Sequence, residues 1–488
     1  MFKKLNLLIR NHTIMFNSLR TLLLFLTFAV VLFLGSCKSS KIDTTQQGSD
    51  YKYKVGHPEL RINTFGFVDQ EQGPTLEITA DIVEGSLVYS QQNDSLTANI
   101  AVDIQIVDQE NGENIIESQR ITKSVTSSNE NITSSRETIT INYSQQVSPS
   151  KYDISVTVTD LNSKRKLTQT SETFIPETEE GEFTISNIQM YGKEDNSGWA
   201  PITGYDVQSS VDSLRFVFQV ISPQTERRLT IDSRLVEFKS DTGLPRSMTR
   251  NNYSSSSIEY KGIDYDRQTE IQSTRRVLSD YSSVFVEYKF ANQNRGNYRF
   301  EVNTKKEGDE EEQFNGRAFG IKSPNFPAVE NIHELARPLA YLMDSNQYED
   351  LLKISDKDSL KQAIDRFWLK NIGNKQKTRS VIELYYTRVE QANKMFSNFK
   401  EGWKTDRGLI YVMFGNPFYT RDRLRSLTWY YSYNLEDPNY RFRFEQPQLN
   451  NKFFPFDHYL LQRHSYYHSR RYIQRDLWLS GRILQRRI

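Results

Sequence analysis

At 488 residues the chain is long enough for about three domains of ordinary size. Its formal net charge of +1 supplies no global field to draw in a polyanion, so bulk electrostatics give nucleic-acid binding no support. A single cysteine excludes intrachain disulfides, and each domain must be held by burial of its own apolar side chains.

The N-terminus carries Lys3, Lys4, Arg10 and Arg20, then the apolar run Thr21 to Leu34, then Leu34-Gly35-Ser36-Cys37. A basic segment, an apolar segment and small residues in that order read as a signal peptide over residues 1–36. At 1.5 Å per residue the apolar run is about 21 Å long, short of a hydrocarbon core of ~30 Å. Leu-Gly-Ser-Cys resembles the bacterial lipobox, which implies cleavage before Cys37 and acylation there; Met15 opens a shorter segment of the same kind. Several acyl chains on one residue anchor stably where one chain binds marginally. Residues 37–56, rich in Ser, Thr, Gln and Lys, then read as a lipidated cysteine and flexible tether.

From 57 to 180 the pattern is that of strands. Ile100, Val102, Ile104 and Ile106 alternate with polar residues, as do Tyr152, Ile154, Val156 and Val158. From 181 to 323 the same period returns in Leu214, Phe216, Phe218 and Val220, and in Tyr298, Phe300 and Val302. The two stretches end alike, each with a Tyr (Tyr152, Tyr298) opening an alternating strand. This predicts tandem antiparallel β-sandwiches, immunoglobulin-like in kind. The acidic run Glu307 to Glu312 reads as a solvated hairpin tip, since its spacing lacks the alternating ligands of a calcium loop.

Ser323-Pro324-Asn325-Phe326-Pro327 reads as a linker, after which the period changes to that of helices. A short helix is predicted near Ile332 to Tyr348. A longer one comes after Asp358, with Leu360, Ile364, Phe367 and Trp368 on one stripe and Gly373 at its end; another presents Val381, Leu384, Tyr385, Val389, Ala392 and Phe396. Leu409 to Phe414, an unbroken apolar run before Gly415-Asn416-Pro417, reads as a strand, with further strands at 427–433 and 440–444. Residues 324–488 are thus expected to form a small α+β domain with two to three helices and a basic, aromatic C-terminal tail.

The densest chemistry is Gly402-Trp403-Lys404-Thr405-Asp406-Arg407-Gly408, which together with Gly415 and Pro417 forms the candidate site. Turn chemistry accounts for every residue type in it. The glycines suit positive φ or a backbone with no room for Cβ; Trp403 would cover the junction; Thr405 and Asp406 would accept from turn amides; and Arg407 would pair with Asp406 or a helix carboxylate. The competing reading gives Lys404 and Arg407 an anionic ligand and makes Asp406 a general base. An order of helix, motif, strand would leave no helix N-terminus facing such an anion. His464 and His468 have i, i+4 spacing but lack the glutamate of a zinc helix, so no metal or cofactor site is expected. The tail arginines Arg463, Arg470, Arg471, Arg475, Arg482, Arg486 and Arg487, interleaved with Tyr466, Tyr467, Tyr472 and Trp478, suit anionic headgroups, an acidic partner or a plain terminal helix.

The motif, its continuation to Pro417 and the preceding Tyr385-Tyr386-x-Arg388-Val389-x-x-Ala392-Asn393 resemble the GWxTD-domain family over about residues 358–433. The resemblance implies the envelope of a Bacteroidota-like bacterium, at the outer membrane; it supplies no reaction. Lys38-Ser39-Ser40-Lys41 lacks the acidic residues found after the cysteine in some surface-exported lipoproteins, which favours a periplasm-facing position. The expectation is a non-catalytic lipoprotein scaffold or binding module, anchored in the bilayer through Cys37 and engaging an envelope protein, with no nucleic-acid partner. The alternative is a cell-wall or glycan hydrolase with Asp406 and Glu383 as acid and base.

Overall fold

The computed structural model describes residues 40–43 and 52–485, except 70, 93–94, 111–113, 129–130, 176–182, 195–197, 223–226, 280–282, 309–311, 433–439, 450 and 452–453. Cys37, the signal peptide, and Arg486 and Arg487 lie outside the described residues.

In the first sandwich, β1 (Leu60–Asp69), β2 (Gly73–Val83) and β5 (Thr138–Gln146) form one antiparallel sheet in the order β1-β2-β5. The other contains β3 (Ser95–Asp108), β4 (Asn114–Ser127), β6 (Lys151–Asp160) and β7 (Lys166–Phe174), ordered β4-β3-β6-β7. Ile100, Val102, Ile104 and Ile106 are buried between the sheets, as their alternation requires.

The second sandwich repeats this plan. β8 (Gln189–Lys193), β9 (Ser213–Ile221) and β12 (Ser283–Ala291) pair as β8-β9-β12. β10 (Leu229–Ser240), β11 (Ile263–Leu278), β13 (Gly296–Lys306) and β14 (Glu312–Ile321) pair as β11-β10-β13-β14. Its core is aromatic, with the Phe216 and Phe300 rings stacked at 4.5 Å. The seven long strands follow the same order in both sandwiches, and the tyrosines near the start of β6 and β13 play one role. Tyr152 donates its hydroxyl to Ser148 O at 2.6 Å and Tyr298 to Asn294 O at 2.8 Å, each four residues upstream. That is the tyrosine corner of immunoglobulin-like sandwiches.

Two described parts of the segment read as a tether are paired with the sandwiches. Ser40–Asp43 forms a strand parallel to β14, Ser40 opposite Phe314 and Asp43 opposite Arg317. Further along, Lys52 exchanges backbone hydrogen bonds with the Gln169 side chain. A sheet edge with unmet backbone groups captures an extended polar segment, whatever its composition.

In the C-terminal part α1 (Ile332–Ala336), α2 (Ser345–Leu352), α3 (Lys357–Ile372), α4 (Lys375–Phe396), α5 (Asp406–Phe414) and α6 (Tyr467–Leu479) pack beside a four-stranded sheet. The strands are β15 (Tyr419–Arg423), β16 (Ser426–Tyr430), β17 (Arg441–Glu445) and β18 (Leu460–Leu461), paired in that order. Asp356 caps α3 and Gly373, at φ 75°, ends it. Trp368, Tyr385 and Trp478 meet edge to face at the centre of the helical core. Leu409 to Phe414, predicted as a strand, is helix α5. Every residue from Gly408 to Phe414 is buried, and a helix enclosed on all sides carries no amphipathic period to mark it.

Candidate functional site

The motif lies between two helices. After α4, Gly402–Lys404 makes one 3-10 turn, and Thr405 then caps α5 by accepting from Gly408 N at 3.0 Å while donating to Gly402 O at 2.7 Å. The glycines serve close approach and not positive φ. A Cβ on Gly402 would stand 1.9 Å from Ala392 O, and one on Gly408 1.9 Å from Gly402 O, so three backbone segments touch where no side chain fits. Gly415 does have positive φ, 83°, and it ends α5; its carbonyl accepts from Tyr431 Oη at 2.7 Å before Pro417 leads into β15. Trp403 is buried edge to face on Tyr341, whose hydroxyl donates to Trp403 O.

The charges of Lys404 and Asp406 turn inward. Asp406 accepts from Arg463 Nη1 at 2.9 Å, from Arg463 Nη2 at 2.5 Å and from Leu461 N at 2.7 Å, with both side chains at most 2% exposed. Arg463 also donates to the carbonyls of Arg246 and Ser247 and lies over the Tyr253 ring, so this bidentate pair reaches from α5 through β18 into a loop of the second sandwich. Lys404 pairs with Glu401 at 3.2 Å, and Glu401 is also held by Arg295 from the β12–β13 turn. Burial draws the Lys404 ammonium down to about 8, with Glu401 opposing the fall. Although burial works to raise it, the Glu401 carboxyl is held below its ordinary value by Lys404, Arg295 and Lys322. Arg407 pairs with neither Asp406 nor a helix carboxylate; it donates to Asp457 O at 2.9 Å and packs its guanidinium over Phe396 and Tyr459.

Around these residues the second sandwich and the helical part are joined by further buried polar contacts. Lys400 is ion-paired with Asp241. Lys322 Nζ lies 3.4 Å from Asp206 Oδ1 and donates to Asn398 O at 2.6 Å. Asn297 donates to Phe399 O at 3.0 Å, and Phe399 packs so tightly on Gly262 that a Cβ there would be 2.5 Å from its ring. Tyr205, Val236, Phe238 and Ile263 of the sandwich share an apolar cluster with Phe399 and Phe456. His458 lies 3.0 Å from Glu259 O and 3.1 Å from Tyr260 O through Nε2, and burial next to Lys400 pushes its pKa down to about 4. Asp241, Tyr253, Lys400, Thr405, Asp406 and His458 line a cavity of about 10 Å³, room for about one water.

The structure therefore draws together Gly402, Trp403, Lys404, Thr405, Asp406 and Gly408, and leaves Arg407, Gly415 and Pro417 to contacts outside that cluster. The motif precedes a helix N-terminus, contrary to the expected order, and what occupies that end is the Thr405 cap and the paired Asp406 carboxylate. Glu383 is exposed on α4 whereas Asp406 is buried, so the two carboxylates do not share an environment. His464 precedes α6 and stacks on Tyr466, so it shares no helix face with His468. No group of three or more His, Cys, Asp or Glu is placed to hold a metal among the described residues. Sequence reasoning missed Glu401, Arg295, Asp241 and Lys322, which carry no local pattern, and it placed Arg463 in a surface tail.

Among solved structures the chain shows slight likeness to a red sea bream transglutaminase, at 9% identity and TM-score 0.19, covering 55% of this chain and 32% of that one. It shows similar likeness to Salmonella alpha-2-macroglobulin reacted with methylamine, at 12% identity and TM-score 0.17, covering 55% and 17%. A third is E. coli alpha-2-macroglobulin in its native conformation, at 11% and 0.15, covering 54% and 16%. The chain spans about a third or less of the length of each. No curated protein matches the chain. Residues 296–480 match the family model of the GWxTD domain, so the chain carries a GWxTD domain, one that takes in the last hairpin of the second sandwich as well as the helical part.

Proposed function

We propose that the protein is an envelope lipoprotein of a Bacteroidota-like bacterium, anchored through acylated Cys37 at the outer membrane and facing the periplasm. There it acts as a non-catalytic scaffold or binding module for an envelope protein. The observation that carries the non-catalytic part is the state of Asp406. Its two oxygens accept three hydrogen bonds, one from a backbone amide, beside a cavity of about 10 Å³. A general base needs a lone pair aimed at substrate, and these are committed to holding the fold. The anchoring part rests on Leu34-Gly35-Ser36-Cys37 and the apolar run before it. No helix among the described residues is long and apolar enough to cross a membrane, so the lipid would be the attachment for this part of the chain.

The test is fractionation of cells expressing the wild type and Cys37→Ser, with mass spectrometry of the N-terminal peptide. The wild type should require detergent for extraction and carry acyl chains on a new N-terminal cysteine. The variant should carry none. An unmodified Cys37 in a protein that is still membrane-bound overturns the anchor.

A further inference from the structure

Four of the tail arginines are engaged within the fold. Of the tail arginines, Arg463 is buried on Asp406, Arg470 lies over the Tyr440 ring, Arg475 donates to Leu342 O and Arg482 pairs with Asp476. The β15–β16 hairpin and its neighbour β17 instead expose an arginine face. The register places Tyr419 opposite Tyr430 opposite Arg441, Arg421 opposite Thr428 opposite Arg443, and Arg423 opposite Ser426 opposite Glu445. Alternate residues Trp429, Phe442 and Phe444 are buried in the helical core, so the arginine set points away from it. All five residues of β15 are exposed. Arg421, Arg423 and Arg425 make no ion pair among the described residues, and Glu445 is spent on Arg443 at 2.7 Å. At the hairpin tip, between Arg423 and Arg425, Leu424 is 95% exposed.

We propose that this face docks on an anionic phospholipid surface, the arginines meeting headgroup phosphates and Leu424 dipping into the acyl boundary. The inference deepens the proposed function, resting on the reading that the protein works beside a bilayer. Charge complementarity gives the anionic partner; the leucine selects the lipid. A fully exposed leucine flanked by arginines gains nothing from a phosphodiester backbone, whereas a bilayer interface receives both kinds of side chain. Tyr419, 48% exposed on the arginine face, is of the type enriched at that depth.

The test uses the chain from Lys38 onward, which keeps all four apolar clusters and lacks the acyl anchor, sedimented with vesicles of equimolar phosphatidylglycerol and phosphatidylcholine or of phosphatidylcholine alone. Binding is expected on the anionic vesicles only, weakening as salt rises. A loss of about fivefold per arginine predicts affinity on the order of 100-fold lower for the triple variant Arg421→Gln, Arg423→Gln, Arg425→Gln, with an unchanged melting temperature. The emission of Leu424→Trp should shift to the blue with anionic vesicles and not with a DNA oligonucleotide. Equal binding to neutral vesicles, indifference to the triple substitution, or a preference for DNA without the shift would each overturn the proposal. If Cys37 is unmodified yet the chain binds anionic vesicles through this face, the anchor falls and this inference stands; an acylated protein whose anchor-free chain ignores vesicles gives the reverse.

Discussion

Tyr152 and Tyr298 close the same corner in two sandwiches of the same strand order, yet the sandwiches are attached to the chain by different means. The first meets the second mainly through amides. Asn63 donates to Gln189 at 2.6 Å, and Gln219 exchanges hydrogen bonds with the Val68 backbone at 2.7 and 2.8 Å. It meets the helical part through the Glu59–Lys394 pair, partly open to solvent on the lysine side, and the exposed Arg136–Glu330 pair. The second sandwich is joined to the GWxTD helices by the buried Lys400–Asp241 pair, by the Glu401–Arg295 pair, and by Arg463, which the buried Asp406 carboxylate holds against the Arg246 and Ser247 carbonyls, beside a shared apolar cluster. Buried pairs add little net stability when intact, but losing one partner leaves an uncompensated charge in a dry interior. The second joint is therefore intolerant of change and positions its two sides uniquely, while the first tolerates substitution. One plan serves both sandwiches; the signature motif makes the second inseparable from the helical part.

The largest effect should come from breaking that joint. Asp406→Asn keeps shape but leaves Arg463 buried without a counter-charge, at a cost of about 3–5 kcal/mol measured by denaturant unfolding. The second sandwich and the helices should lose stability together, and a variant that melts the helices alone would separate what the geometry unites. Next in size is an acid effect. His458 is neutral when folded because burial pushes its pKa to about 4, against an ordinary value near 6.5. Between those values the unfolded chain binds the extra proton, so this residue withdraws stability as pH falls from about 6.5 to about 4, by roughly 3 kcal/mol at most. Asp206, pushed up to about 6 by burial, titrates with the opposite sign over part of the window. The comparison that isolates the histidine is thus wild type against His458→Gln, whose pH dependence should be flatter. At the first joint, Lys394→Ala should cost only about 1–2 kcal/mol, since Glu59 keeps Arg61 at 2.9 Å.

How much of this could be read from residues alone depends on the range of the interactions. Period-2 alternation marked both sandwiches, and Asp358 to Gly373 marked α3, because those signals lie within one element. Leu409 to Phe414 misled because apolar continuity does not distinguish a strand from an enclosed helix. The flanks held the answer: Thr405-Asp406 is a cap with an acidic first turn, and Gly415 with Pro417 two residues on is a helix stop. The partners of the motif were illegible for another reason. Arg463 stands 57 residues from Asp406, and Arg295 106 residues from Glu401, so no spacing rule connects them.

The smallest expected effect tests whether the two corners are equivalent. Tyr152→Phe and Tyr298→Phe each remove one hydroxyl hydrogen bond to a backbone carbonyl four residues upstream while keeping the ring, so each should cost about 1 kcal/mol. Their surroundings differ, and Glu237 also lies beside the Tyr298 hydroxyl. The Tyr298 ring stacks on Phe319 at 5.5 Å in an aromatic core, next to the Asn297 side chain that reaches across the joint to Phe399 O, whereas Tyr152 packs among the aliphatic residues of the first core. If the corner only closes its own sandwich, the two losses match and are additive with Asp406→Asn, as for separate sites. If the second corner also sets the β13 end that carries Asn297, Tyr298→Phe should couple to Asp406→Asn by about 0.5 kcal/mol or more in a double-mutant cycle while Tyr152→Phe does not. Equal coupling for both tyrosines would mean that the first sandwich is as firmly joined as the second, and the contrast between them would fail.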